Sequence, residues 1–250
     1  KVPLFAHIPL ILKQFGPGKM SKRDKGALIE EYEQRSFMPD AVRNYICLLG
    51  WNPKDDQEKM PIETIIERFD FDGVNKGNAR FDETKLSALN AEYIRELPTS
   101  DLAQYVLPIL QSNGVDIASI EQPYLIEVLE LCQTKIKALE TLFEYIHYFF
   151  QDTYEFDAKG MQRIHKGVDP KLLLNEIIPI FESIELYSKE ELEAKLTAIA
   201  EANERKLFAY FPVIRMAISG LSGGPDLLPM LSVMGKVRVL PRLQSFLEKL

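Results

Sequence analysis

From Pro39 to Leu250, apolar residues recur at three- and four-residue spacing almost without a break. That period suits helices and little else. Pro39 fits a first helical turn, and Ala41, Val42, Tyr45, Ile46 and Leu49 follow it until Gly50 stops the run. Pro61 opens a short second helix carrying Ile62, Ile65, Ile66 and Phe69, and Asp82 is placed to cap a third with Leu86 and Leu89. A fourth spans 99–113 after Pro98. The longest pattern runs from Pro123 to about Phe150. Ser188-Lys189-Glu190-Glu191 reads as a capping box for a helix reaching Asn203, and a last helix is predicted from about Gly235 to Leu250. Strand-like character is confined to residues before 30, where Pro9 interrupts the apolar run from Leu4 to Leu12. The expected class is mainly all-α: stacked helical domains behind a small mixed N-terminal segment. The polar stretches 111–122 and 151–157 are the places for sub-domains to meet.

With 250 residues, the chain can form one large domain or two to three smaller ones. No apolar run approaches membrane-spanning length, and the sequence begins at Lys1 and not at Met, without a leader pattern in its first residues. The expectation is a cytoplasmic protein whose N-terminal portion is absent. Cys47 and Cys132 sit in apolar helical stretches and read as buried reduced thiols. His7, His147 and His165 are scattered, so no metal site is expected. The net charge of −7 means that any nucleic-acid partner needs local basic clusters.

One string departs from this ordinary pattern. After the turn signal Gly16-Pro17-Gly18 comes Lys19-Met20-Ser21-Lys22-Arg23, with Gly26 beyond it. A specified pentapeptide arises by chance in a chain this long with a probability on the order of 10⁻⁴. The string resembles the signature loop of class I aminoacyl-tRNA synthetases. Its flanks narrow the resemblance to the bacterial-type glutamyl-tRNA synthetases: Phe5 to Leu10 before it, Phe37 to Trp51, Phe81 to Leu86 and Leu89 to Arg95 after it, and Arg215 to Gly220 and Gly235 to Leu240 near the end. The similarity covers most of the chain, and is most specific before residue 100. Residues 150–210 match in helical character alone.

The resemblance implies an enzyme that activates glutamate with ATP and magnesium and transfers it to tRNA(Glu). Activation builds negative charge on the leaving pyrophosphate, and a mobile cationic loop closing on that charge favours the transition state. Lys22 is then the residue for the pyrophosphate, with Lys19 second to it. The ATP-binding set is Met20, Ser21, Lys22 and Arg23, the first two approaching the adenylate through their backbone. Gly16, Gly18 and Gly26 give the loop freedom to move. The family's nucleotide-binding fold, with its His-x-Gly-His motif and glutamate pocket, would lie upstream of Lys1. This chain alone is therefore expected to bind tRNA and not to aminoacylate it, and to be a monomer. The implied parts are 1–98, the signature loop and stem-contact region, then two helical anticodon-binding domains, 99–160 and 161–250.

Anticodon recognition needs cations for the RNA backbone and side chains for splayed bases. The candidates are Lys135 and Lys137 on the long helix; Arg163 and Lys166, beside His165; and Lys236, Arg238 and Arg242, while Arg43 and Asn44 on the Pro39 helix are placed to support the inner corner of the tRNA. Lys135 aligns where some family members place an arginine that inspects the last anticodon base, although lysine lacks the planar fork. Trp51, Tyr145, Tyr148, Phe149 and Phe150 read as packing between helices, and the acidic run Glu185 to Glu193 as a solvated helix start facing away from RNA. Two other readings stay open: a helical interaction protein of synthetase ancestry, and another class I synthetase of lysyl or glutaminyl type.

Overall fold

A computed structural model describes every residue except Lys1, Leu4, Ala6 and Asp56, so part of the apolar run from Leu4 lies outside the described residues. The chain divides into two compact units, one of residues 1–98 with 136–142, the other of 99–135 with 143–250.

In the first unit, strands β1 (Ile11–Leu12) and β2 (Ala79–Arg80) pair in parallel. Its α-helices are α1 (Ile29–Gln34), α2 (Pro39–Leu48), α3 (Ile62–Arg68) and α4 (Glu83–Glu96), joined by long irregular segments. Helix α2 packs on α4, burying Tyr32, Phe37, Val42, Tyr45, Phe81, Leu86 and Leu89 in one cluster. Tyr45 and Phe81 meet edge to face at 5.7 Å, and the Asp82 backbone N–H donates to the Tyr45 hydroxyl at 2.6 Å. Asp82 caps α4 as expected, accepting from the N–H groups of Thr84 and Lys85. A second cluster holds Trp51, Met60 and Ile65. Of the residues placed by spacing on one face there, Ile65 is buried, whereas Ile66 and Phe69 are 70% and 49% exposed.

The second unit contains α5 (Thr99–Ser112), α6 (Gln122–Cys132), α8 (Ala158–Ile164), α9 (Pro170–Ser183), α10 (Lys189–Ala202), α11 (Phe211–Ser219) and α12 (Leu227–Lys249), with α7 (Leu142–Ile146) entering it. Helix α12 packs against α6, α9, α10 and α11, burying Leu231, Met234, Leu243 and Phe246. It is broken at Gly235, whose φ of 68° and ψ of 170° only glycine adopts without strain. The Ser188 hydroxyl accepts from the Glu191 N–H at 3.2 Å. The Glu191 carboxylate reaches Leu186 N–H, two residues before Ser188, rather than closing the reciprocal bond of a capping box.

Three further expectations need correction. The pattern from Pro123 to Phe150 is several pieces: α6, short 3₁₀ turns at Gln133–Lys135, Leu139–Thr141 and His147–Phe149, and α7 between the last two. Ala138 is fully extended there (φ −149°, ψ 142°). Strand β2 lies well beyond residue 30, the expected limit of strand character. Cys47 is only partly buried, whereas Cys132 is buried and burial pushes its thiol up to about 12.

Candidate functional site: the signature loop and the basic surface

Backbone pairing presents the loop. Leu12 bridges Lys19 antiparallel. Met20 N–H donates to Ile11 C=O at 2.8 Å, and Lys13 N–H to Gly18 C=O at 3.3 Å. A hairpin results, its tip at Gln14 to Pro17, and β1 ties it to β2. Gly16 and Gly18 take φ of 77° and 100° in its turn. From β2, the Arg80 guanidinium donates to the carbonyls of Lys13 (2.6 Å), Gln14 (3.4 Å) and Gly16 (3.2 Å), holding the tip.

Asp24 closes the other end. One of its carboxylate oxygens accepts the Ser21 N–H at 2.8 Å and the Ser21 hydroxyl at 2.7 Å. The other meets the Lys13 ammonium at 2.9 Å. These contacts, Lys13 first and Ser21 next, lower the Asp24 carboxyl to about 2. Gly26 N–H donates to Glu31 at 2.7 Å, and the Tyr32 hydroxyl donates to Gly26 C=O.

Between these braces Lys19, Ser21, Lys22 and Arg23 are exposed, while Met20 packs against the first unit's core. Among the described residues the ammonium groups of Lys19 and Lys22 and the Arg23 guanidinium have no carboxylate partner. By contrast Lys25 is paired to Glu83 at 3.1 Å. A groove of about 650 Å³ opens beside the loop, its lining including Lys19, Ser21, Lys22, Pro9, Tyr45 and Leu49. It combines cations with apolar side chains, a composition that suits a phosphorylated ligand with an apolar part.

The remaining candidates divide by placement. Lys135 and Lys137 are exposed, the first ending a 3₁₀ turn and the second in the irregular segment after it, not on one long helix. Arg163 and Lys166 are exposed at the end of α8 with His165 between them. Arg43 is exposed and paired to Asp40 one turn earlier. Lys236 donates to the carbonyls of Glu182 and Ile184 at the end of α9, an arrangement suited to that helix terminus. The Arg238 guanidinium lies 4.5 Å from the centre of the Tyr124 ring.

Asn44 and Arg242 are the two candidates that the structure buries. Asn44 is 1% exposed, and its amide spans Glu58 C=O (2.9 Å), Met60 N–H (2.9 Å) and the Tyr93 hydroxyl (3.0 Å). Its hydrogen-bonding capacity is used inside the protein. Arg242 is 7% exposed, donating to the carbonyls of Tyr148 and Ile218 (2.8 Å each) and Gln151 (3.0 Å), and to Asp152 at 3.2 Å. It organises the second unit and does not offer a free cation. Both lie at helical spacing from buried neighbours (Asn44 three after Ala41, Arg242 three after Val239), a signal that could have marked them as inward-facing. Asp24 and Arg80 were missed. Ser21-x-x-Asp24 is a spacing at which a side chain bonds nearby backbone, whereas nothing near Arg80 in sequence announces its carbonyl partners.

The hairpin-bearing first part and the helical second part each correspond to a known protein family. The chain belongs to the class I tRNA synthetase family: residues 1–88 match its catalytic domain of the E and Q type, and residues 101–247 match the anticodon binding domain. Within that class its relatives are glutamate–tRNA ligases. It is 38% identical to the glutamate–tRNA ligase of Methylacidiphilum infernorum over 96% of this chain and 54% of that protein, and 35% identical to that of Akkermansia muciniphila over 98% and 54%. The chain thus spans about half the length of the curated relatives it matches. Its fold is that of a glutamate tRNA ligase from Elizabethkingia meningosepticum, with a TM-score of 0.88 at 24% identity over all of this chain and 52% of that one.

Proposed function

We propose that this chain is the loop-bearing and tRNA-binding part of an enzyme that activates glutamate with ATP and transfers it to tRNA(Glu). The observation that carries the reading is the segment from Lys19 to Arg23, on and just after the hairpin that Asp24 and Arg80 brace: among the described residues its three cations have no carboxylate partner, and Lys19 and Lys22 line a groove. Lys22 meets the pyrophosphate, Lys19 assists, Arg23 adds positive field, and the backbone at Met20 and Ser21 lies against the adenylate. Exposed, unpaired cations beside a groove fit a triphosphate. The magnesium of the reaction accompanies the ATP of the full-length enzyme.

The second unit supplies the anticodon end. Its exposed cations Lys135, Arg163 and Lys166 are the first candidates for RNA, with Lys236 and Arg238 anchored but reachable. Lys137, in the first unit, is a further anticodon candidate, and Arg43 supports the inner corner of the tRNA. We divide the chain functionally at 98 and again near 160, giving a stem-contact region and two helical anticodon-binding domains, in a monomer working in the cytoplasm. Among the described residues no helix is long and apolar enough to cross a membrane. The support for the glutamyl assignment over the lysyl or glutaminyl one is the run of glutamate–tRNA ligase relatives along the whole chain.

The test is selective retention. Immobilised chain is incubated with total bacterial tRNA at low salt, and the retained species are sequenced. Enrichment of glutamate isoacceptors supports the reading; a retained pool of the same composition as the input counts against it.

A further inference from the structure

The exit of the signature loop is tied to residues far from it in sequence. Just past Arg23, the Lys25 ammonium meets one carboxylate oxygen of Glu83, in the first turn of α4, at 3.1 Å. The same oxygen receives the Arg35 guanidinium at 2.7 Å. Arg35 closes α1, and its Nε reaches the Glu140 carboxylate at 3.0 Å. Glu140 lies in the segment 136–142, which belongs to the first unit although the chain on either side of it belongs to the second. A chain of charges, Lys25–Glu83–Arg35–Glu140, therefore links the loop to that segment. Its centre is partly desolvated: the Arg35 and Glu83 side chains are 23% and 25% exposed, and the guanidinium lies 4.8 Å from the centre of the Phe37 ring. Burial pushes the Glu83 carboxyl up, but Lys25 and Arg35 outweigh it and leave the group below its ordinary value. The next residue, Gly26, is fixed by the core: its φ is 82°, and a Cβ there would meet the Phe81 ring at 2.7 Å.

We propose that Arg35 and Glu140 are positioning residues for the signature loop: acting through Glu83 they hold Lys25, and with it the turn that presents Lys22 and Arg23. The proposal rests on the phosphate-binding reading of that loop and names what sets its geometry. The guanidinium is suited to this place because its planar fork serves two acids from different nitrogens at once, whereas a lysine ammonium is a single point charge. While Glu140 holds the Nε edge, Arg35 gives Glu83 one nitrogen and leaves that carboxylate to Lys25 as well. Without Glu140 the guanidinium is free to turn wholly onto Glu83 and to displace Lys25 from the oxygen they share. Glu140, which makes no ion pair with the loop, thus governs the loop's anchor. Its removal has two effects of opposite sign on an anionic ligand. Loss of a negative charge by itself strengthens binding, whereas loss of the anchor disperses the loop cations and weakens it.

The test uses this chain and two readouts: hydrogen exchange at the hydrogen-bonded amides of Ser21, Asp24 and Gly26, and titration with inorganic pyrophosphate. The variants are Glu140→Gln, Arg35→Lys, the two combined, and Glu144→Gln, the same charge change on exposed α7 outside the ion chain. Glu140→Gln and Arg35→Lys should each speed exchange at the loop amides about threefold, the scale of a partly exposed ion pair, while α2–α4 core amides keep their protection. Both should weaken pyrophosphate by a similar factor. Because the two residues act in series, the combined variant should be no worse than Arg35→Lys alone. Glu144→Gln should match wild type in both readouts. Wild-type exchange at the loop in Glu140→Gln would overturn the proposal, as would additive effects in the combined variant or equal acceleration in the core. Tighter pyrophosphate binding by Glu140→Gln would also overturn it, leaving charge alone as the cause. If exchange follows the expected pattern but the unaltered chain binds no pyrophosphate, the anchor stands and the phosphate-binding reading fails.

Discussion

One oxygen of the Asp24 carboxylate receives both the backbone N–H and the hydroxyl of Ser21, at 2.8 and 2.7 Å. This contact shapes the turn that displays Lys22 and Arg23, so the charge state of Asp24 becomes a property of the loop.

Asp24 stabilises the turn in its ionised form, because its carboxyl lies at about 2, below its ordinary value of 3.8. A group whose pKa is lowered by folding contributes fully above its ordinary value and loses that contribution as pH falls through the folded one. Asp24→Asn is expected to lower the melting temperature slightly at pH 7, and the gap from wild type should close between pH 4 and pH 2. A gap of constant size down to pH 2 would contradict an ionic role.

Asn44→Ala should destabilise the first unit by about 2 kcal/mol, since it leaves the Met60 N–H and the Glu58 carbonyl without their partner. Urea unfolding measures this. The folded variant should bind tRNA as wild type does, and a selective loss of RNA affinity with unchanged stability would restore Asn44 as a contact.

Arg242→Lys should be nearly as damaging as Arg242→Ala, at about 3 kcal/mol, because an ammonium cannot serve three carbonyls and a carboxylate through one planar fork. Denaturation curves that left the lysine variant at wild-type stability would show the fork to be dispensable.

Arg80→Ala removes the donor that gathers the Lys13, Gln14 and Gly16 carbonyls. The hairpin tip should then protect its amides less, while the α2–α4 core keeps its protection. Hydrogen exchange reads both at once, and an unchanged tip would show that β1 pairing alone suffices.

Much of this was legible beforehand because local chemistry decided it. Pro39, Asp82 and Ser188 each start a helix where their backbone preference says they should. The signature string was readable because its chemistry depends on residue order. The stretch after Cys132 was not, and for a physical reason. Ile136, Leu139, Leu142 and Ile146 are all buried at helix-like spacing, yet residues 136–142 belong to the first unit and those on either side to the second. A continuous helix could not deliver them, and 3₁₀ turns with an extended Ala138 preserve the apolar spacing while redirecting the chain. Burial of Asn44 and Arg242 escaped for the opposite reason: their residue types argue for solvent, and only the carbonyl and amide partners assembled by tertiary structure make burial tolerable.

Anisotropy with labelled tRNA(Glu), beside the same tRNA carrying a changed anticodon, tests the central claim most directly. The chain should prefer the unaltered anticodon, and Lys135→Ala should reduce that preference. Equal, salt-sensitive binding of the two tRNAs would contradict anticodon recognition and leave the second unit with phosphate contacts alone.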